Sequence, residues 1–203
     1  MLPIGDSRLV QILDAALADA ARRSGDWLVC QPGCTQCCVG VFAIHQLDVA
    51  RLQQGLRELA GSDPERARSV RERARKSVER LAEGFPGDAV TGLLDSSEEA
   101  EARFEDFAND EPCAALDPQT GLCDLYQSRP MTCRVFGPPV RSEQGLGVCE
   151  LCYHGATEEQ IAACEMQVDP QGLEAQLLEE FELSSGKHGR TLVAFALASE
   201  PVQ

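Results

Sequence analysis

Cys30-x3-Cys34-x2-Cys37-Cys38 is the densest run of reactive side chains in this chain of 203 residues with ten cysteines. Cys113, Cys123 and Cys133 follow at a regular stride, then the pair Cys149-x2-Cys152, and last Cys164. Thiols packed this closely make poor core filling. They make good ligands, because thiolate sulfur shares charge well with zinc and with the iron of iron–sulfur clusters. Spacings of two or three residues let one loop wrap one centre. Side chains of adjacent residues diverge, so Cys37 and Cys38 either serve different atoms or face a polynuclear centre.

A centre joining Cys30, Cys34, Cys37 and Cys38 to Cys113, Cys123 and Cys133 would cross-link two distant stretches. It would contribute on the order of several kcal/mol to folding. Cys149 and Cys152 suit half of a second site, with Cys164 and His154 able to complete three thiolates and an imidazole. Cys164 reads equally as a small buried apolar residue near Ile161. Separate tetrahedral sites would suit zinc, and one cluster enclosing the adjacent pair and the distant trio would suit iron. The surplus of sulfur and the Cys37-Cys38 pair favour an iron–sulfur cluster or iron, with zinc as the alternative.

The second cysteine group sits in Pro112-Cys113-Ala-Ala-Leu116-Asp117-x3-Gly121-x-Cys123-x-Leu125-Tyr126-x2-Arg129-Pro130-x2-Cys133-Arg134. This segment resembles a bacterial cysteine-cluster family of CxxCxxCC type, proteins described as zinc- or iron-chelating. Their hallmarks are an early cysteine knot and a later Gly-x-Cys-x2-Tyr-x2-Arg-Pro-x2-Cys-Arg run. Cys34, Cys37 and Cys38 match the knot, while Cys30 stands one residue farther upstream than the usual form. The resemblance covers roughly residues 30–140, so Cys149, Cys152 and Cys164 lie beyond it. It implies a metal centre more strongly than a reaction. Some relatives are described as iron–sulfur oxidoreductases, and flagellin lysine methylase looks related. An iron–sulfur enzyme or subunit, methylase- or oxidoreductase-like, is therefore one alternative to a metal-binding, redox-active or structural protein. Metal storage or trafficking is another.

Arg129 and Arg134 flank Cys133. They are cofactor-binding candidates, as donors to cluster sulfurs or to an anionic substrate. The favoured reading is structural, with ion pairs to Asp117, Asp124 or Glu150. Tyr126 is expected to pack with its hydroxyl satisfied, and Trp27 to lie as an apolar lid beside the knot. His45 reads as a helix-start residue and His188 as a loop residue. No Ser-His-Asp order, phosphate-cradling glycine loop or dinucleotide fingerprint assigns a reaction or a substrate.

The elements that must hold these thiols read as helices. Leu9, Ile12, Leu13, Ala16, Leu17 and Ala20 give one apolar face over residues 7–23, with Asp6 as N-cap. Val39 to Ile44 reads as a short strand, followed by helical spacing through Val49, Leu52, Leu56 and Leu59. Asp63-Pro64 opens a helix over 65–83, striped by Ala67, Val70, Ala74, Val78 and Leu81. Its arginines alternate with Glu65, Glu72, Glu79 and Glu83 and read as a solvated face. Ser96-x2-Glu99 boxes a helix through Phe107, and Thr157-x2-Gln160 boxes one over 158–166. Asp169-Pro170 starts another, with Leu173, Leu177 and Phe181 inward. Residues 190–198 fit either helix or strand. Gly33 and Gly40 bracket the knot as tight turns.

The fold class expected is mainly α: a small helical domain with a cysteine-rich, loop-dominated metal-binding centre. Residues 1–203 read as a single domain, with an N-terminal helix (1–29), a cysteine core (30–140) and a helical extension carrying Cys-x2-Cys (141–203). The net charge of −15, from 18 basic and 33 acidic residues, repels phosphate backbones and argues against nucleic acid as a partner. No apolar run reaches membrane-spanning length, and the start, Met1-Leu-Pro-Ile-Gly-Asp, lacks a signal-peptide pattern. A cytoplasmic location is expected, where thiols stay reduced and structural disulfides are rare.

Overall fold

A computed structural model of the chain describes residues 1–142 and 145–199. Helices dominate them, eight α-helices against three two-stranded antiparallel ribbons, so the fold is mainly α. The chain divides into two interleaved units. Unit one is Gly33–Pro130 with Met1 and the chain from Phe181, and unit two is Leu2–Pro32 with Met131–Glu180. The divisions thus fall after Pro32, Pro130 and Glu180, rather than near residues 29 and 140.

In unit one, the strand expected from Val39 to Ile44 is reduced to an isolated bridge at Val39 and to β1 (Ile44–His45). The helix α2 (Gln46–Ser62) follows, then α3 (Pro64–Leu81). Asp63 accepts the Arg66 N–H and Pro64 takes the first helical position, so the expected cap holds; such a cap is worth about 1 kcal/mol. The α3 stripe of Ala67, Val70 and Ala74 is buried with Leu52 and Leu56 of α2. The same core includes Val193 and Leu197 of the last helix. Burying each of these larger side chains is worth about 1.5–3 kcal/mol.

A hairpin, β2 (Gly87–Asp88) with β3 (Leu93–Leu94), leads to α4 (Glu98–Glu105). Ser97 caps α4 by accepting the Ala100 N–H, one residue later than the Ser96 box, because the helix begins at Glu98 and Ser97, with an extended backbone, is the residue directly before it.

In unit two, α1 (Asp6–Ser24) buries Leu9, Leu13 and Ala20. Asp6 is itself helical and buried, and Gly5 holds the cap position, so the expected Asp6 cap is absent. The helix α5 (Met131–Arg134) packs on α1. A ribbon of β4 (Val140–Ser142) and β5 (Gly145–Gly147) follows, then α6 (Glu158–Ala163) with the full Thr157–Gln160 capping box. That helix ends at Ala163, short of 166, and the Cys164 N–H turns back to the Ile161 carbonyl. The helix α7 (Leu173–Ser185) starts later than Asp169-Pro170 suggests, because Asp169 adopts a left-handed φ of 40°. Asp169 still serves the helix by accepting the Glu174 N–H at 2.7 Å.

The tail resolves its ambiguity by doing both. β6 (Arg190–Thr191) pairs with β1, and α8 (Val193–Ala198) then packs on α2 and α3. His45 starts α2 as expected, but its side chain makes no capping hydrogen bond, and the residue pairs with Arg190 through β1. Among the described residues, no helix is long and apolar enough to cross a membrane.

Candidate metal centre

Five thiols belong to unit one: Cys34, Cys37, Cys38, Cys113 and Cys123. The knot enters through Gly33 at φ 91°, and Gln36–Cys38 form a single 3-10 turn. The turn is closed by the Cys38 N–H on the Thr35 carbonyl at 2.8 Å. Gly40, at φ 90°, then reverses the chain so closely that a side-chain carbon there would lie 3.2 Å from the Asn109 carbonyl oxygen. This approach carries the main join. Cys113 donates its N–H to the Cys38 carbonyl at 2.8 Å, and Val39 bridges Pro112. Two thiol-bearing segments more than seventy residues apart are thereby fixed side by side.

Cys123 returns to the same place by a tight loop. Leu116 and Cys123 form an antiparallel bridge, and Asp124 donates its N–H to the Ala115 carbonyl at 2.8 Å. The loop's Gly121 packs against Gly33 and Thr35, the residues on either side of Cys34. Below it, Gly55 of α2 lets the Tyr126–Ser128 turn approach. A side-chain carbon on Gly55 would fall 2.2 Å from the Ser128 hydroxyl.

The sulfurs feel one another. The Cys38 thiol donates to Cys37, whose own titration drops to about 6, helped by its backbone N–H and by the Arg129 guanidinium and opposed by burial. Cys38 moves the opposite way, through that same hydrogen bond, then burial and the nearby Cys37, Cys113 and Cys123. Burial raises Cys113 to about 11, against the N–H groups of Ala115 and Leu116 and the charge of Arg73. Burial also raises Cys123, and the Leu125 N–H pulls it back. Backbone N–H groups aimed at sulfur favour thiolate and tune bound metal. The donor set is therefore soft, clustered and supplied with hydrogen bonds, which suits zinc or iron. As they stand, no three His, Cys, Asp or Glu side chains among the described residues are poised around a common ion.

Arg129 lies over the Tyr126 ring, 3.9 Å from its centre, and donates to the Tyr126 carbonyl at 2.9 Å. Tyr126 is 55% exposed, which corrects the expectation that it packs inside. Its face is used as a cation platform instead. Arg134 is buried and pairs with Asp14 at 2.9 Å. Asp124 is taken by Arg66 and by Arg73, the latter also donating to the Ala114 carbonyl at 3.0 Å. These two arginines sit seven apart on α3, one face of the helix. That spacing was the available signal, and its reading as a solvated face missed the clamp beside Cys123.

The other five thiols belong to unit two: Cys30, Cys133, Cys149, Cys152 and Cys164. Cys133 rides on α5. Cys149 and Cys152 share a hydrogen bond, and burial raises Cys152 against the N–H groups of Val29 and Cys30. Cys152, Tyr153 and Cys164 form a small core with Trp27, Leu28 and Ile161. Trp27 thus packs on this core, and His188 sits 3.4 Å from Glu182 in unit one. None of the ten cysteines is joined to another in a disulfide.

Behind Cys113, a cavity of about 20 Å³ bordered by Gly40, Phe42, Ser77, Glu111 and Val193 has room for one water. No curated protein and no solved structure matches the chain. A family model does, over residues 29–153. It reaches beyond residue 140 and takes in Cys149 and Cys152, which corrects the shorter span inferred from the motif. With well over half of its residues matched, the chain belongs to the CxxCxxCC family, described as "Putative zinc- or iron-chelating domain".

Proposed function

We propose that this chain is a cytoplasmic metal-binding protein whose unit-one thiols, Cys34, Cys37, Cys38, Cys113 and Cys123, hold an iron–sulfur cluster. One observation carries the reading. The Cys38 carbonyl and the Cys113 N–H lock two distant thiol segments together at 2.8 Å, and all of Cys37, Cys38, Cys113 and Cys123 then act on one another. The hydrogen bond between adjacent Cys37 and Cys38 means both sulfurs occupy the same space. A lone tetrahedral ion rarely takes both of two neighbouring residues, and a polynuclear cluster has room for them. When bound, such a cluster supplies one-electron transfer.

The protein's own residues set its surroundings. Arg129 places a cation near Cys37 and Cys123. The N–H groups of Ala115, Leu116 and Leu125 donate to sulfur. Both would favour the reduced, more negative state. Ten cysteines clustered as metal ligands rather than spread as disulfide pairs suit a reducing compartment, which favours the cytoplasmic assignment.

Elemental analysis and an absorption spectrum of anaerobically purified protein test this. Iron with sulfide and broad absorption near about 400 nm, both lost in Cys37→Ser, are expected. A colourless protein with stoichiometric zinc, lost in the same variant, would replace the cluster with a zinc centre. Metal content equal in wild type and Cys37→Ser would remove the unit-one site.

A further inference from the structure

Beyond that centre, we infer that unit two carries a separate mononuclear site for a zinc-class divalent ion, built from Cys30, Cys149 and Cys152. The Cys149-x2-Cys152 segment is folded as a tight turn, the backbone form a metal knuckle uses. The Cys152 N–H closes a turn on the Cys149 carbonyl at 2.9 Å, and the two sulfurs are within hydrogen-bonding reach. The next residue, Tyr153, sits at φ 62°. A left-handed aromatic residue is strained by about 1–3 kcal/mol and persists only where its surroundings hold it. Here the holding contacts are plain. Tyr153 donates its N–H to the Trp27 carbonyl at 2.9 Å, and its hydroxyl meets the Ser24 hydroxyl at 2.5 Å, buried.

That strain has a consequence for Cys30. Pinning Tyr153 to Trp27 lays residues 28–30 along the knuckle, so the N–H groups of both Val29 and Cys30 point at the Cys152 sulfur. Two backbone donors on one sulfur suit a thiolate far better than a neutral thiol. The Cys30 backbone is therefore in contact with the knuckle, and one staggered rotation about its Cα–Cβ bond sets how near its thiol lies. The Cys30 side chain lies beside Gly137, a glycine required by its φ of 113°. A side-chain carbon on Gly137 would lie 3.6 Å from the Cys30 Cβ and 3.8 Å from its Sγ. The inner side is walled by Tyr153, Cys164, Trp27 and Ile161, an apolar backing that excludes competing water. Cys164 serves in that wall. Cys30 is exposed, which leaves the fourth tetrahedral position toward solvent, as in sites with three protein ligands.

The test is zinc content per chain in full-length protein, stripped of metal anaerobically and reloaded with zinc alone. Cys30→Ser and Cys149→Ser should each lose about one zinc ion relative to wild type, and the Cys30→Ser/Cys149→Ser double variant no more than either single. Cys37→Ser should retain that ion, and Cys164→Ser should retain it too. Cys152 is buried and its variant could fail to fold, so Cys30 and the partly buried Cys149 carry the decision. Cys30→Ser losing the same zinc as Cys37→Ser, with Cys149→Ser unchanged, would place Cys30 in the unit-one centre and overturn the inference. Unchanged zinc in Cys149→Ser, with Cys149 and Cys152 trapped as a disulfide by a mild oxidant, would overturn it as well. Either result leaves the unit-one reading standing, because that reading is scored on Cys37→Ser.

Discussion

The two units assemble thiols by opposite routes. Unit one joins segments far apart in sequence, through the Cys38–Cys113 backbone bond, the Gly40 reversal and the Leu116–Cys123 bridge. Unit two uses a local turn, Cys149 to Cys152, and adds one strand of backbone from Trp27 to Cys30. A site of the first kind depends on the whole unit being folded. One of the second kind depends mostly on the four residues from Cys149 to Cys152 and the strained tyrosine that follows them. Thiol chemistry should separate the unit-one sulfurs from one another more sharply than it separates the units.

The largest expected effect lies there. In metal-free protein, Cys37 titrates near 6 and Cys113 near 11. At neutral pH, Cys37 is mostly thiolate and Cys113 almost wholly thiol, about four decades apart in reactive form. Lower intrinsic nucleophilicity of the more acidic thiol takes back about two decades. Iodoacetamide labelling, read by peptide mass spectrometry, should therefore be about a hundredfold faster at Cys37. The rate at Cys37 should fall as pH drops through 6, and that at Cys113 should rise until pH 11. Linkage runs the same way. The Cys37 thiolate stabilises the fold above the ordinary thiol range, and this is lost as pH falls through about 6. Cys113 stabilises it as a neutral thiol, and this is lost as pH rises through about 11. Equal labelling of the two at pH 7 would erase the asymmetry within unit one.

How much of this could be read from sequence follows the same division. Local signals carried well: the Asp63-Pro64 start, the Thr157 box and the α3 stripe. Caps and stripes depend on residues within a few positions of one another. Spatial grouping was not legible. Sequence put Cys30 with the knot because it is close in number, yet its backbone touches Cys152 through bonds spanning over a hundred residues. Asp124 was offered to Arg129 and Arg134, but the helical spacing of Arg66 and Arg73 presents both to it. No rule of composition ranks such rivals, since each pairing satisfies charge equally well. Tertiary packing decides.

The Asp124 clamp gives the next largest effect. Its side chain is 1% exposed and holds two arginines beside Cys123. Asp124→Ala strips both pairs and should cost about 2 kcal/mol, reduced from the fully buried case because Arg66 is 44% exposed. The unit-two counterpart, Arg141 with Glu165, has its arginine 58% exposed. Glu165→Ala should cost about 0.5 kcal/mol. Urea midpoints with unchanged slopes measure both. Similar losses at the two positions would mean that burial does not distinguish the pairs.

The smallest effect discriminates most finely, because it uses the same atom in both units. The chain has two tyrosines, one per unit. Tyr126 is 55% exposed and offers its ring face to Arg129, a contact that survives removal of the hydroxyl. Tyr153 is buried and its hydroxyl is joined to Ser24, whose own hydroxyl also donates to the Ala20 carbonyl at 2.7 Å. Tyr153→Phe leaves the apolar wall in place but removes that bond, so it should cost about 1 kcal/mol. Tyr126→Phe should stay within about 0.5 kcal/mol of wild type. The hydroxyl of Tyr153 also helps to hold its left-handed backbone, and the knuckle is formed by that backbone. Tyr153→Phe should therefore weaken zinc retention by the Cys149–Cys152 site against a competing chelator, by a few-fold, while Tyr126→Phe leaves it alone. A loss of stability with zinc retention untouched would confine Tyr153 to packing and show that the knuckle holds its shape without it.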